Sequence, residues 1–237
     1  MKFVKVPITV LVLALLTLLP STTAYGQDAK KIHFGTFTLA TNGAGLGYTR
    51  YDDAKKRAIF VNLQTIHHSQ ETNSQNTRVI NPRNYVYGKL NAAASLSSGY
   101  TAYKTISAGT KRYASPDILL GVSLAPSLGI MKPYYISYQH NRNDGTGPDI
   151  MQQNIEIIQN KDSIYGPASW TNGFTKLSTT LGVHTDLHVA LNWNHSYYFQ
   201  SCKLGVRFDL YPRRLNIMYG ANNQYFTSLY ITYSSGK

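Results

Sequence analysis

A chain of 237 residues with one cysteine, 14% charged residues and a net charge of +12 has the length of a single domain and cannot close an internal disulfide. Beyond its first 26 residues, no apolar run approaches the roughly 18 to 20 residues that a membrane-spanning helix needs. The surplus of cations, +10 once Lys2 and Lys5 are set aside, favours polyanionic partners, which for an exported chain means lipopolysaccharide or a capsular glycan rather than nucleic acid.

Residues 1–26 have the layout of a processing signal. Lys2 and Lys5 precede an apolar run from Val6 to Leu19, and Ala24-Tyr25-Gly26 gives an A-x-G cleavage pattern, so the mature chain is expected to begin at Gln27. No cysteine follows that point, so the leader is not of the lipoprotein type, and export leads to the periplasm, the outer membrane or beyond.

From there Tyr, Thr, Ser, Gly and aliphatic residues alternate over much of the chain, and helical periodicity is scarce. The pattern is that of an all-β protein. Eight strands are expected, at approximately 31–41, 44–52, 57–69, 89–104, 116–129, 176–193, 199–211 and 224–235. In the fourth, Leu90, Ala92, Ala94, Leu96 and Tyr100 alternate with Asn91, Ser95, Ser97 and Thr101. In the fifth, Ile118, Leu120, Val122, Leu124 and Leu128 oppose Gly121, Ser123, Ala125, Ser127 and Gly129, with Leu119 out of step. In the seventh, Cys202, Leu204, Val206, Phe208 and Leu210 oppose Ser201, Lys203, Gly205, Arg207 and Asp209.

The gaps also alternate. They are about 5, 10 and 5 residues after the second, fourth and sixth strands, about 20 and 45 after the third and fifth, and about four and eleven after the first and seventh. An even-stranded barrel with both termini in the periplasm has this alternation, with short turns on the periplasmic side and longer loops outside. "TNGAG" (41–45) and "NDGTG" (143–147) open no helix and read as turns.

Periodicity does not say which face points inward, since a soluble lipocalin-like barrel alternates in the same way with its faces exchanged. Three observations favour an antiparallel up-and-down transmembrane barrel. The polar face is built from Gly, Ser, Ala and Thr with sparse mixed charges, which suits a narrow packed lumen. Trp193, Tyr197, Tyr198, Tyr211, Tyr225, Phe226 and Tyr233 sit near strand ends, where interfacial girdles form. The chain also ends on "QYFTSLYITYSSGK", an aromatic-rich last strand of the kind that barrel assembly machinery reads.

The sixth strand carries His184-x-Asp186-x-His188, residue types that bind metals. On an extended backbone His184 and His188 stand roughly 13 Å apart, too far to share one ion that holds each ligand at about 2.0 to 2.1 Å. The inward residues expected opposite, Lys203, Gly205 and Arg207, offer a metal only cations and a glycine. The favoured reading is a luminal polar network in which Asp186 and Asp209 offset Lys203 and Arg207, while His184 and His188 satisfy hydrogen bonds. No metal and no other cofactor is expected.

A lipid A acyltransferase or deacylase is a competing class. His67-His68-Ser69 is its seed, a nucleophile and base side by side that would still need an acid. No phosphate loop, cysteine-rich metal signature or nucleophile elbow is present. A narrow passive pore is the other alternative, although eight strands leave an interior that side chains fill. The segment from about 130 to 174 is longer than a featureless loop, and is the expected external functional region. "DIMQQNIEIIQ" (149–159) within it suggests a strand extension or a helix, and a hairpin there would bring the barrel to ten strands. Lys132, Arg213 and Arg214 share that outer side and are candidate contacts for lipopolysaccharide phosphates.

"NYVYGKLN" (84–91), "APSLGIMKPYY" (125–135), "SIYGPASWTNGF" (163–174) and "NNQYFTSLYITYSSGK" (222–237) resemble, in this order, segments of a small outer-membrane β-barrel family of Bacteroidetes-type Gram-negative bacteria. Its members are usually described only as outer-membrane or porin-family barrels. The resemblance implies a barrel and a location, with no reaction and no catalytic residues. The expected protein is therefore a non-enzymatic, monomeric outer-membrane barrel whose external loops contact glycolipid, a ligand or a partner complex.

Overall fold

The computed structural model describes residues 31–78, 83–109, 115–138, 149–152, 164–194 and 198–236; the leader expected over 1–26 lies outside them. In chain order the described strands are β1 (Lys31–Ala40), β2 (Gly43–Asp52), β3 (Arg57–Ile66), β4 (Asn73–Ser74), β5 (Tyr85–Val86), β6 (Asn91–Ser107) and β7 (Asp117–Pro133). They continue with β8 (Tyr135–Tyr138), β9 (Asp149–Gln152), β10 (Ile164–Pro167), β11 (Ser178–Asn194), β12 (Phe199–Met218) and β13 (Ala221–Gly236). Eight of them close an antiparallel barrel in the order β1-β2-β3-β6-β7-β11-β12-β13, and β13 returns to β1 from Phe34↔Gly236 to Ala40↔Tyr230. The long connection after β7 does form strands, but β8, β9 and β10 make a separate small sheet. The ten-strand alternative thus gives way to eight.

The orientation of the faces follows from burial. Along β13, Phe226, Ser228, Tyr230, Thr232 and Ser234 are buried while Tyr225, Leu229, Ile231 and Tyr233 are exposed. The same holds around the barrel: Leu46 is 65% exposed, Leu124 63%, Leu181 63% and Leu204 65%, whereas Ser97, Ser123, Ser127 and Ser201 are buried. An apolar belt of this extent is costly in water at roughly 25 cal/mol per Å² and is the lipid-facing surface of a transmembrane barrel. Not every aromatic at a strand end belongs to it. Tyr225, Tyr198 and Tyr233 are exposed, but Tyr211 and Phe226 point into the barrel, and Tyr197 lies outside the described residues.

Glycines make room for the large luminal side chains. His188 pairs with Gly121 on one side and Gly205 on the other, and a Cβ on either would run into the imidazole side chain. Tyr211 lies over Gly129 and Gly182 in the same way and donates its hydroxyl to Ser95 Oγ at 2.9 Å.

An apolar cluster packs at each end of the lumen. On the side of the chain termini, Ile32, Phe34, Tyr51, Ala58, Leu119, Ala190 and Phe199 pack together. Leu119 breaks the alternation of β7 in sequence because it belongs to this cluster. On the opposite side Ile66, Ala93, Tyr211, Leu215, Ile217, Met218 and Phe226 form a second one.

Two boundaries differ from the sequence-based expectation. β7 runs on to Pro133, so the long connection starts at 134. β12 continues to Met218 and meets β13 through Tyr219–Gly220, with Gly220 at φ 76°, where a loop of about eleven residues is expected from the pattern rules. The cause is Pro212-Arg213-Arg214, which interrupts the two-residue period. The register jumps there from Leu210↔Tyr225 to Leu215↔Asn223, a bulge that also accommodates a proline unable to donate to the ladder. The extended hairpin is paired in turn by residues 88–90, through Leu90 N–H to the Ile217 carbonyl and Tyr219 N–H to that of Gly88, both at 2.8 Å.

Above this end the connections fold into a cap. The β8–β10 sheet and the β4–β5 pair bury Tyr85, Ile136 and Ile164 between them, and Asn76 donates its side-chain amide to the Ile164 carbonyl at 2.9 Å.

Candidate functional site

The polar layer between the two apolar clusters is centred on β11. The short β11–β12 connection fixes the register, which sets His188 beside Gly205, Asp186 beside Arg207 and His184 beside Asp209, with Lys203 beside Ala190. All six residues singled out in sequence therefore meet in the lumen. His184, Asp186, His188, Arg207 and Asp209 are buried, and Lys203 is half-buried.

Asp186 is the hub. Its Oδ1 receives His188 Nδ1 at 2.6 Å and the Tyr230 hydroxyl at 2.9 Å, and its Oδ2 faces His184 Nε2 at 3.3 Å. His184 Nδ1 reaches Asp209 Oδ1 at 2.7 Å. Each carboxylate is thus held by histidine, and Tyr230 brings in β13, a strand that does not neighbour β11.

The partners differ from those expected. Among the described residues, no lysine or arginine stands within ion-pair distance of Asp186 or Asp209. Lys203 Nζ instead lies over the rings of Phe34 and Tyr103, 5.6 Å from each centroid, and the Arg207 guanidinium lies 4.7 Å over Tyr230. Cation–π contacts of this kind are stronger away from water. The layer borders a partly open cavity of about 50 Å³ lined by Thr36, Thr49, Asn62, Lys203, Arg207 and Tyr230 among others. That volume admits a few waters. Among the described residues no group of three or more His, Cys, Asp or Glu is arranged to hold a metal ion, and the Asp186 oxygens that a metal would need already serve both histidines.

Tyr230, Phe60 and Tyr103 are the site residues missing from the sequence reading. His184 and His188 stack edge-on against Phe60 and Tyr103 at 5.9 and 5.5 Å. A signal for Tyr230 exists, since it shares the parity of Ser228, Thr232 and Ser234 rather than that of Leu229 and Ile231.

The His67-His68-Ser69 seed lies at the foot of the cap. Glu71 Oε2 accepts from Lys89 Nζ at 2.5 Å and pairs with His67 Nδ1 at 3.2 Å, while Oε1 accepts from the His68 backbone N–H at 3.0 Å. The His68 ring is spent on the Gln70 backbone N–H and the Asn223 amide, at 3.2 and 3.1 Å. The residues therefore fasten the cap to β13, and the ring that would serve Ser69 as a base is occupied.

Burial alone would raise the Glu71 pKa, but its hydrogen bonds from His67, Lys89 and His68 outweigh burial and bring it from 4.5 down to about 2. A carboxyl depressed on folding stabilises at pH values above its unfolded pKa, and this contribution fades as the pH falls toward the folded one. The cap is accordingly expected to hold at neutral pH and loosen between pH 4.5 and about 2. Protection of the amides in residues 67–78 and 83–90, taken relative to their intrinsic exchange rates at each pH, should fall over that window in the wild type. Glu71→Gln should exchange faster at pH 7 and lose the pH step.

Lys132, on the outward parity of β7, donates to the backbone carbonyls of Trp170 and Asn172, both at 3.0 Å, and lies 5.2 Å over Phe174. It fastens the 170–174 turn to the outer rim and leaves Trp170 74% exposed. Arg213 and Arg214 are exposed at the β12 bulge, in a strand rather than in the loop expected for them.

No family model matches the chain, and no curated protein matches it. Among solved structures it is similar to the crystal structure of Neisserial surface protein A (NspA), at 9% identity over 87% of this chain and 92% of that one, with a TM-score of 0.35.

Proposed function

We propose that this protein is an integral outer-membrane barrel that neither conducts solutes nor catalyses a reaction, and that it works through its folded cap. The observation that carries this reading is the lumen: an apolar cluster packs at each end, and the polar layer between them, crowded with side chains, holds a cavity of about 50 Å³. A passive pore needs a continuous water path, and an eight-stranded interior filled by its own side chains argues against one. The cap, by contrast, has its own core and an exposed Trp170-Phe174 pair in edge contact at 4.8 Å.

The leader-like N-terminus, the apolar belt and the resemblance to small barrels of Bacteroidetes-type bacteria all support an outer-membrane location. On this reading the cap faces outward, where Lys132, Arg213 and Arg214 stand at the rim nearest to lipopolysaccharide. Glycolipid, a surface ligand or a partner complex is the class of contact proposed.

Planar-bilayer recording tests the first half. The purified barrel is expected to give no stepwise conductance at salt concentrations where open porins do, and reproducible steps would restore the pore. Co-purification from native membranes tests the second half. A stoichiometric companion that Trp170→Ala loses supports the cap, and one retained by that variant points to another surface.

A further inference from the structure

The luminal charges do not balance on side chains alone. Each ring nitrogen of His184 faces a carboxylate oxygen, Nδ1 that of Asp209 and Nε2 that of Asp186, at 2.7 and 3.3 Å. A ring donates to both only as the imidazolium. Among the described residues between the two apolar clusters, Lys203 and Arg207 then bring the cations to three, against the two carboxylates Asp186 and Asp209. His188 gives Nδ1 to Asp186 and turns Nε2 toward Gly121, which requires no second charge. The layer is left with one positive charge too many, and buried charge without a counter-charge is costly.

The surplus is located. Among the described residues, Lys203 and Arg207 are the two luminal cations without a carboxylate within ion-pair distance, and both line the same cavity. Arg207 is 5% exposed and its Nε has no hydrogen-bond partner. The nearby wall also carries threonine hydroxyls, those of Thr36 and Thr49 among them, and hydroxyls can donate to an anion. The Asp186 carboxylate also borders the cavity, but its oxygens are covered by His184, His188 and Tyr230.

We propose that this cavity is an internal site for one monoatomic monovalent anion, chloride in the cell, held between the Lys203 ammonium and the Arg207 guanidinium and completed by threonine hydroxyls. Its volume of about 50 Å³ holds such an ion with a water beside it. The ion is structural: it neutralises the lumen and lets Lys203 and Arg207 remain charged without a protein partner.

Bromide substitution tests this on the intact protein. Crystals grown in sodium bromide should show an anomalous peak in contact with Lys203 and Arg207, and a cavity containing only water would overturn the site. In detergent, the apparent melting temperature should rise with bromide or chloride to a plateau, by about 5 °C at 100-fold over Kd. Sodium gluconate at equal ionic strength supplies the same screening with an anion too large to enter, and should give no such rise. Lys203→Met should lose the halide-dependent part whatever its own baseline, and an undiminished halide effect in that variant would place the ion elsewhere. Identical wild-type melting in the two salts would also sink the proposal.

Discussion

Leu124→Arg is expected to destabilise the barrel by about 2–4 kcal/mol, the cost of an arginine near the midplane on the lipid face of a membrane barrel. Leu124 stands near the middle of β7 with 63% of its surface exposed and Ala125 buried beside it. In a water-soluble barrel the same substitution would put a cation on the solvent face and change stability by no more than about 0.5 kcal/mol. The two architectures that sequence periodicity leaves open therefore separate by several-fold. Urea unfolding in phospholipid vesicles measures the difference, and an unchanged midpoint would place this face in water.

Asp186→Ala should cost as much or more. Removing one member of a buried charged network typically costs about 3–5 kcal/mol, because its partners stay behind without theirs. Here the carboxylate serves His184, His188 and Tyr230, so three polar groups lose an acceptor at once. Asp186→Asn should recover part of the loss, since the amide oxygen still accepts from Tyr230 and His188. Metal content distinguishes this account from a metal centre. Stability should fall with no change in bound zinc, and stoichiometric zinc that disappears in the variant would reverse the assignment.

The strands were legible where burial demanded strict alternation. β11 keeps apolar residues at Leu181, Val183, Leu187 and Val189, with only Thr185 between them, against His184, Asp186 and His188, and its short connection to β12 fixes the register, so Gly205, Arg207 and Asp209 could be placed opposite from sequence alone. What sequence left open was chemistry across the lumen. Asp186 meets Tyr230 from a strand that is not its neighbour, and such a chord depends on barrel curvature and side-chain length, which pairing rules do not contain. Lys203 and Arg207 also chose aromatic faces over the carboxylates that simple charge balance assigned to them.

The ends of β12 and β13 were hidden for a different reason. Pro212-Arg213-Arg214 looks like a loop because proline and paired cations break the period, yet the strand resumes on the far side with Leu215 and Ile217 pointing inward. Local pattern cannot distinguish a bulge from a termination when the partner that rescues the strand, residues 88–90, is more than a hundred positions away. The cap escaped for the same reason, since its core joins Tyr85, Ile136 and Ile164 from separate connections.

The seam between β1 and β13 has a bearing on how the barrel comes into being. Every other barrel pairing joins barrel strands that follow one another along the chain, while this one joins the first to the last. Its loop-closure entropy is therefore the largest of the eight. The sheet can grow hairpin by hairpin as an open, curling ribbon with two bare edges, and it becomes sealed only when the final residues reach Phe34 to Ala40. Until then, Ser228, Tyr230 and Thr232 stand on a free edge. The luminal hub and the closing edge thus share a residue, and Tyr230 links the completion of the wall to the satisfaction of its interior.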